Sequence, residues 1–263
     1  MSALAEILGR SRETIDRNYQ AAGNKGYVID GVFCRGITRL LHDTFYSNFR
    51  PMGRRRGRIG HSSVEDGEAF HRQVYHTYKC RAVCTCKARF GVKTLKPRKN
   101  SPLEERMKLF KAYLREKQWQ VYDCEMIVGC QKERLATSID LVCVDNIEAP
   151  TSVIIVELKT GYTIQKNTPR TIDTTGKMTG IAGQCIKNTF VNQHQLQLWF
   201  CCEAFERAHG IFPHAAAVVY VNDKRRVHTE FAATWWFRNE GMRRMLFAQL
   251  VGQTCSLFEQ GSN

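Results

Sequence analysis

The sequence of 263 residues predicts an α/β fold, in which a central mixed sheet is flanked by helices. After residue 100 the patterns follow the order helix, three strands, helix, strand. Residues 153–156 are apolar at four successive positions, as expected of an interior strand that is covered on both faces. Hydrophobic residues make up 43% of the chain, which is enough for a packed core.

We divide the chain into an N-terminal helical segment with a basic loop, residues 1–62, and a main domain, residues 63–263. The apolar stripe of Leu4, Ile7 and Leu8 predicts one short helix, and a similar stripe from Ile37 to Phe45 predicts a second. A glycine-rich break at residues 23–31 separates them. Arginine and glycine dominate residues 50–61, which indicates a basic loop.

Two helices are predicted ahead of the strands. Ser63 and Asp66 have the spacing of a capping box and open a helix over about residues 64–79. Ser101, followed by Pro102 at the first helical position and by Glu104, is a strong start for the next helix.

Three β-like runs follow at residues 120–130, 135–145 and 152–160, and their short connections predict an antiparallel meander. Residues 160–180 are rich in Thr, Gly and Lys and predict a mobile loop. A helix over about 188–208, strands near 215–221 and 227–232, and a final helix from Thr234 complete the chain.

The charge distribution points to a polyanion partner. The formal net charge is +14, and residues 50–99 alone hold 14 basic and three acidic residues, a net of +11. Such a concentrated basic excess is typical of nucleic-acid binding, although a solubilising surface or an organelle-targeting bias is the alternative. No run approaches the roughly 18 apolar residues of a membrane span, and the N-terminus lacks a secretory pattern. We therefore expect a soluble intracellular protein with no membrane partner.

Eleven cysteines are many for an intracellular chain, but an odd number does not suit a closed disulfide framework. We expect reduced thiols. Cys80, Cys84 and Cys86 leave a zinc site open as an alternative.

Acidic and basic side chains coincide at the end of the predicted interior strand. Glu157 and Lys159 are two residues apart and so lie on one face of it. Asp140 lies in the preceding strand, which can pair beside it. Two carboxylates and an ammonium at one point of a sheet can bind a divalent cation and an activated water next to a phosphodiester.

With their order along the chain, these motifs resemble the PD-(D/E)xK nuclease superfamily. The resemblance spans about residues 64–222 and rests on four elements in sequence, namely Gly67-x-x-x-His71, Ile139-Asp140, Glu157-x-Lys159 and Gln195-Leu196-Gln197-Leu198-Trp199. The first and last of these resemble motifs of RecB-type and CRISPR adaptation nucleases, with Trp in place of Tyr in the last. Viral and phage alkaline exonucleases, including lambda exonuclease, share the core. The resemblance implies a restriction-endonuclease-like αβββαβ core.

The resemblance also implies a metal site for Mg²⁺ or Mn²⁺. Its ligands would be His71, Asp140, Glu157 and the backbone carbonyl of Leu158. An iron–sulfur cluster, which several relatives carry, is not expected, because only Cys255 lies near the C-terminus.

For catalysis the resemblance assigns roles to Asp140, Glu157, Lys159 and Gln195. Lys159 would orient or deprotonate the attacking water, and Gln195 would hold the substrate or that water. Alternatives stay open for individual residues: Glu157 and Lys159 as an exposed ion pair, Asp140 as a turn residue, His71 as a partial-core residue with Glu68 as the substitute acid, and Gln193 in place of Gln195.

We therefore expect a metal-dependent deoxyribonuclease, most simply an exonuclease in DNA recombination, repair or replication. A structure-specific endonuclease on the same core and a non-catalytic nucleic-acid-binding accessory protein are the alternatives. DNA would be held by Arg54, Arg55, Arg56, Arg58 and Arg72. The arginine run is a nuclear localisation signal, a DNA-backbone-binding arm or both, and for a viral protein the nucleus would be that of the host.

Overall fold

The computed structural model describes most of the main domain and parts of the N-terminal segment. The described residues are 4–9, 20–21, 26–46, 62–78, 101–160, 178, 186, 188–221, 227–231 and 235–260. The predicted basic loop at 50–61, the cysteine-containing stretch at 80–100 and residues 161–177 of the predicted mobile loop lie outside them.

Seven helices occur within the described residues. They are α1 (4–9), α2 (Ile37–Phe45), α3 (Ser62–Tyr78), α4 (Pro102–Glu116), α5 (Phe190–His209), α6 (Trp235–Arg238) and α7 (Glu240–Gln260). The predicted cap at Ser101 is present, since its Oγ accepts a hydrogen bond from the Glu104 N–H. Thr189, which was not predicted, caps α5 in the same way.

Eight described strands form one mixed sheet. They are β1 (Gln20–Ala21), β2 (Gly26–Ile29), β3 (Val32–Gly36), β4 (Gln120–Cys130), β5 (Leu135–Val144), β6 (Val153–Thr160), β7 (Ala215–Val221) and β8 (Val227–Phe231). The meander β4–β5–β6 is antiparallel, β6 and β7 are parallel, and β8 returns antiparallel to β7. The predicted α/β class and the order helix, three strands, helix, strand are confirmed.

Helices cover both faces of the sheet. One face, here the α3 face, packs against α3 and α4 through a core that contains Phe70 and Phe110. The opposite face, here the α5 face, packs against α2, α5 and α7 through a larger core around Trp199. The resulting order of layers is helix, sheet, helix.

The N-terminal segment contains a hairpin that the sequence patterns do not predict. Where a glycine-rich break was expected, β2 and β3 pair across a turn at Asp30 and Gly31, both with positive φ. β3 then runs parallel to the start of β5, and Leu8 and α2 pack into the α5-face core. The described part of the segment is therefore built onto the main sheet.

Candidate functional site

The site lies where β5 and β6 separate. Their antiparallel pairing runs from Val144↔Val153 to Leu141↔Val156, and beyond it β6 continues along β7. On the same edge of β5, β3 pairs only with Leu135 and Ala136. None of the described strands pairs with residues 137–140 on this edge. Asp140 closes the opening, because its Oδ2 accepts a hydrogen bond of 2.7 Å from the Leu158 N–H.

A slip in side-chain alternation turns Asp140 towards α3. Ile139 and Val142 both belong to the α5-face core, whereas Leu141 belongs to the α3-face core. Strict alternation would place Ile139 and Leu141 on one face. Because the alternation slips by one residue here, Asp140 and Leu141 both turn towards the α3 face, where His71 lies.

The neighbouring strand β4 slips at the matching position. Cys124 lies in the α3-face core and Met126 in the α5-face core, and Glu125 between them has a left-handed backbone with φ 53°. This conformation carries the Glu125 side chain to the α3 face as well. Ser138 Oγ donates a hydrogen bond of 2.7 Å to Glu125 Oε2.

His71, Glu125 and Asp140 form a group suited to a metal ion. His71 Nδ1 is 3.6 Å from Glu125 Oε1 and 3.6 Å from Asp140 Oδ1, and one donor atom from each residue lies within 4.8 Å of the others. One imidazole nitrogen and two carboxylates suit Mn²⁺ or Mg²⁺. In a strand the N–H and C=O of one residue point to the same side, so the carbonyl of Leu158 faces the same opening as its N–H.

The electrostatics show an excess of negative charge at this group. Burial acts to lower the pKa of His71, but the charges of Asp140, Glu125 and Glu157 outweigh it and raise that pKa to about 9. Burial and the nearby charge of Glu157 raise the pKa of Asp140 well above its usual range. A bound cation would relieve this repulsion, so the donor set fits a divalent metal.

Glu157 and Lys159 lie beside this group rather than within it. Both follow Val153 and Ile155 in the alternation of β6 and therefore point to the α5 face. Lys159 Nζ lies 2.5 Å from Glu157 Oε1 and donates a second hydrogen bond, of 3.1 Å, to Gln197 Oε1. Glu157 acts on His71 and Asp140 through its charge, and its predicted role as a metal ligand stays a prediction.

The glutamines of α5 divide between several environments. Gln197 contacts Lys159, while Gln193 Nε2 donates a hydrogen bond of 2.8 Å to Asn188 Oδ1. Gln195, the predicted residue, is buried. Because residues two apart on a helix do not share a face, its side chain points in a different direction from that of Gln197. Gln197 is a site residue that the motif contained but that we did not single out. On α3, Arg72 is half-buried beside His71 and Glu68 is exposed.

Glu125 is absent from the sequence-based prediction, although a signal for it was present. The turn at residues 131–134 sets the register Cys130↔Leu135. Five residues from this pair on each strand, in the direction away from the turn, the same register sets Glu125 opposite Asp140. An acid placed opposite the predicted catalytic aspartate in a hairpin was therefore readable from the predicted strands.

Several predicted residues lie outside the described part of the chain. They are the arginines Arg54, Arg55, Arg56 and Arg58, and the cysteines Cys80, Cys84 and Cys86. Among the described helices, none combines the length and apolar character needed to cross a bilayer.

Comparison with known proteins gives no family. No protein-family model matches the chain, and no curated protein matches it. Among solved structures, one described as "Crystal structure of SSO0001" aligns with a TM-score of 0.32 and 11% identity, over 96% of this chain and 88% of that chain. A similarity this weak carries no argument about function.

Proposed function

We propose that this chain is a divalent-metal-dependent deoxyribonuclease of the PD-(D/E)xK type, acting as an exonuclease. The observation that carries the proposal is the group of His71, Glu125 and Asp140 at the opening between β5 and β6. Lys159 lies on the strand across that opening, next to Leu158, whose N–H bonds Asp140. Lys159 points to the opposite face of the sheet, but its charge acts on Asp140, so the ammonium lies within electrostatic reach of the cation site. A cation and an ammonium that both act on the phosphate are what phosphodiester hydrolysis uses.

The residues divide into a metal-holding set and a charge-stabilising set. Mg²⁺ or Mn²⁺ held by His71, Glu125 and Asp140, with the carbonyl of Leu158, would supply Lewis-acid chemistry and a more acidic water. Glu157, only 2% exposed, and Gln197 fix the position of the Lys159 ammonium. That ammonium stabilises negative charge as it develops on the phosphate.

The distribution of charge supports DNA as the substrate. Residues 47–61 carry five arginines and residues 79–100 carry eight basic residues, and neither segment contains an acid. The first segment begins directly after Tyr46, which lies near enough to Glu157 and Lys159 for their charges to act on its pKa. Burial and Glu157 raise that pKa to about 12, against the opposing charge of Lys159. The second follows α3, which carries His71. Contacts from such segments to phosphates would be salt-dependent and nearly blind to sequence.

The biological setting follows from the substrate. A sequence-blind deoxyribonuclease serves DNA recombination, repair or replication, with a recombination or replication protein as a further partner. We place it inside the cell and in the nucleus, with residues 54–58 as the import signal, which for a viral protein means the host nucleus.

Digestion of end-labelled DNA in Mn²⁺ or Mg²⁺ tests the proposal. Wild type should degrade a linear duplex, and Asp140→Asn and Lys159→Ala should each lower the rate by about a hundredfold or more, since each removes charge from the reacting centre. Asp145→Asn is the matched control, because this exposed acid bonds Thr151 away from the site and should leave the rate unchanged.

The other outcomes of this experiment contradict the proposal in distinct ways. Equal degradation by all the variants would assign the activity to a contaminant. Cleavage of a covalently closed circle would show an endonuclease. Binding of DNA without cleavage in either metal would favour the non-catalytic accessory protein.

A further inference from the structure

The backbone of Glu125 is exceptional among the described residues. Four described non-glycine residues have positive φ, and three of them, Asp30, Gln118 and Arg134, lie in turns. Glu125 lies inside the eleven-residue strand β4. A left-handed backbone is unfavourable for residues other than Gly, Asn and Asp, and a strand interior gives no turn to require it. The left-handed backbone at Glu125 therefore needs an explanation other than a turn.

That explanation is visible in where the side chain ends. The slip carries Glu125 to the α3 face, and there its two oxygens have different partners. Ser138 Oγ holds Oε2 at 2.7 Å, while Oε1 lies 3.6 Å from His71 Nδ1. One oxygen is thus fixed by a hydroxyl on β5, and the other is presented to the metal-ligand group.

We propose that Ser138 is a positioning residue for Glu125, and that the left-handed backbone at Glu125 is strain retained to bring this carboxylate into the metal site. The inference rests on the proposed metal-dependent function and adds two of its determinants. Hydrogen bonds that orient a ligand carboxylate commonly change metal affinity by 10- to 100-fold when they are removed.

Titration of the full chain with Mn²⁺ in the absence of DNA, by calorimetry, tests the role of Ser138. Ser138→Ala should weaken binding by about tenfold or more, and Ser138→Thr, which keeps the hydroxyl, should restore most of the affinity. Thr137→Val is the matched control, because it removes the neighbouring hydroxyl, which contacts Cys201 on the α5 face. That variant should bind Mn²⁺ as wild type does.

Thermal unfolding in EDTA tests the strain. Glu125→Gly and Glu125→Ala both remove the carboxylate, but only glycine adopts positive φ at no cost. The glycine variant should unfold about 2–4 °C above the alanine variant, whereas an ordinary strand position gives the opposite order. The pair Gln118→Gly and Gln118→Ala, at a left-handed turn residue, should show the same order as Glu125.

Results of two kinds, one from the titration and one from the unfolding, would overturn the inference. One is an Mn²⁺ affinity of Ser138→Ala within twofold of wild type, or no Mn²⁺ binding by wild type at all. The other is a glycine variant at position 125 that is no more stable than the alanine variant. Because Mn²⁺ is titrated without DNA, a wild type that cleaves DNA while Ser138→Ala binds the metal normally refutes this inference alone. A wild type whose Mn²⁺ affinity depends on Ser138 and Glu125 as expected, but which cleaves nothing, refutes the nuclease alone.

Discussion

Lys159 receives its hydrogen-bond partners from two different elements. Glu157 precedes it on β6, and Gln197 reaches it from α5. A hydrogen bond to a charged group contributes about 1.5–3 kcal/mol, and each 1.4 kcal/mol is a factor of ten. Gln197 therefore bears on how well the ammonium is placed.

We expect Gln197→Leu to lower kcat by about tenfold with little change in KM, because the ammonium loses the partner that fixes its position. Steady-state digestion of a labelled duplex measures both constants. Gln195→Leu, two residues away on α5, should have a smaller effect. The reverse order would support the residue that the sequence motif predicted.

At the residue scale, the order of the motifs made part of the site predictable. The family resemblance paired His71 with Asp140, and His71 Nδ1 lies 3.6 Å from Asp140 Oδ1. Glu125 was missed because the motif does not contain it, although the register of the hairpin sets it opposite Asp140. Gln197 was missed because the glutamines of this motif lie two residues apart on one helix. The sequence does not show which of their side chains packs towards the site.

At the scale of elements, α3 contacts the end of β6 through Gly67. A Cβ built at Gly67 would lie 2.8 Å from Thr160 Oγ1. Thr160 follows Lys159, and Gly67 precedes His71 by one turn. The close approach of helix and strand at this glycine therefore sets the distance from His71 to the sheet.

We expect Gly67→Ala to weaken Mn²⁺ binding by about tenfold, because α3 must shift away from β6 and take His71 with it. Thr160→Ala in the same chain should restore most of the affinity, since it removes the clashing hydroxyl. Calorimetric titration of the single and double variants measures this coupling.

The control for this prediction is Gly252→Ala. Nothing lies within 4 Å of the added methyl group on α7, so this variant should gain stability from helix propensity and bind Mn²⁺ normally. If Gly67→Ala behaves in the same way, the close approach has no role in placing His71.

Most elements were predictable from local sequence patterns. The hairpin of β2 and β3 was not, and its short strands show why. The strands over 120–130 and 215–221 have the predicted bounds, because apolar alternation and turn residues define them. The hairpin of β2 and β3 was missed, since its strands have only four and five residues. The dipeptide Asp30-Gly31 was nonetheless a type I′ turn signal, and both residues have positive φ.

For the whole molecule, the α5-face core contains histidines held in the neutral form. Burial lowers the pKa of His209 to about 4, and burial together with the charge of Lys159 lowers the pKa of His194. His194 Nδ1 is 3.0 Å from the Tyr220 hydroxyl. The unfolded chain binds protons at these imidazoles near pH 6.5, before the folded chain does.

Stability should therefore fall as the pH falls from about 6.5 towards 4. Above pH 6.5 His209 is neutral in both the folded and the unfolded chain, so it does not change the free energy of unfolding. At pH 4 this residue alone lowers the free energy of unfolding by about 3 kcal/mol. Urea unfolding at pH 7, 5.5 and 4.5 measures the slope. His209→Leu should flatten it, whereas His214→Gln, at an exposed histidine, should leave it unchanged.

The overall architecture was predictable because each layer is built from helices and strands with a local sequence pattern. No such pattern predicts the pairing of β3 with β5, since it joins only Arg35↔Leu135 and Gly36↔Ala136. Two residue pairs between distant segments leave no periodic pattern to read. That pairing nevertheless frames one side of the opening in which the site lies.

The same pairing has a consequence for the order of assembly during synthesis. Residues 35 and 135 are 100 positions apart, and a ribosome adds roughly 5–20 residues per second. β3 is therefore complete on the order of 5–20 s before its partner strand exists. The β4–β5 hairpin closes over a four-residue turn and forms quickly once made. We expect the N-terminal hairpin and α2, although synthesised first, to be among the last elements to join the sheet.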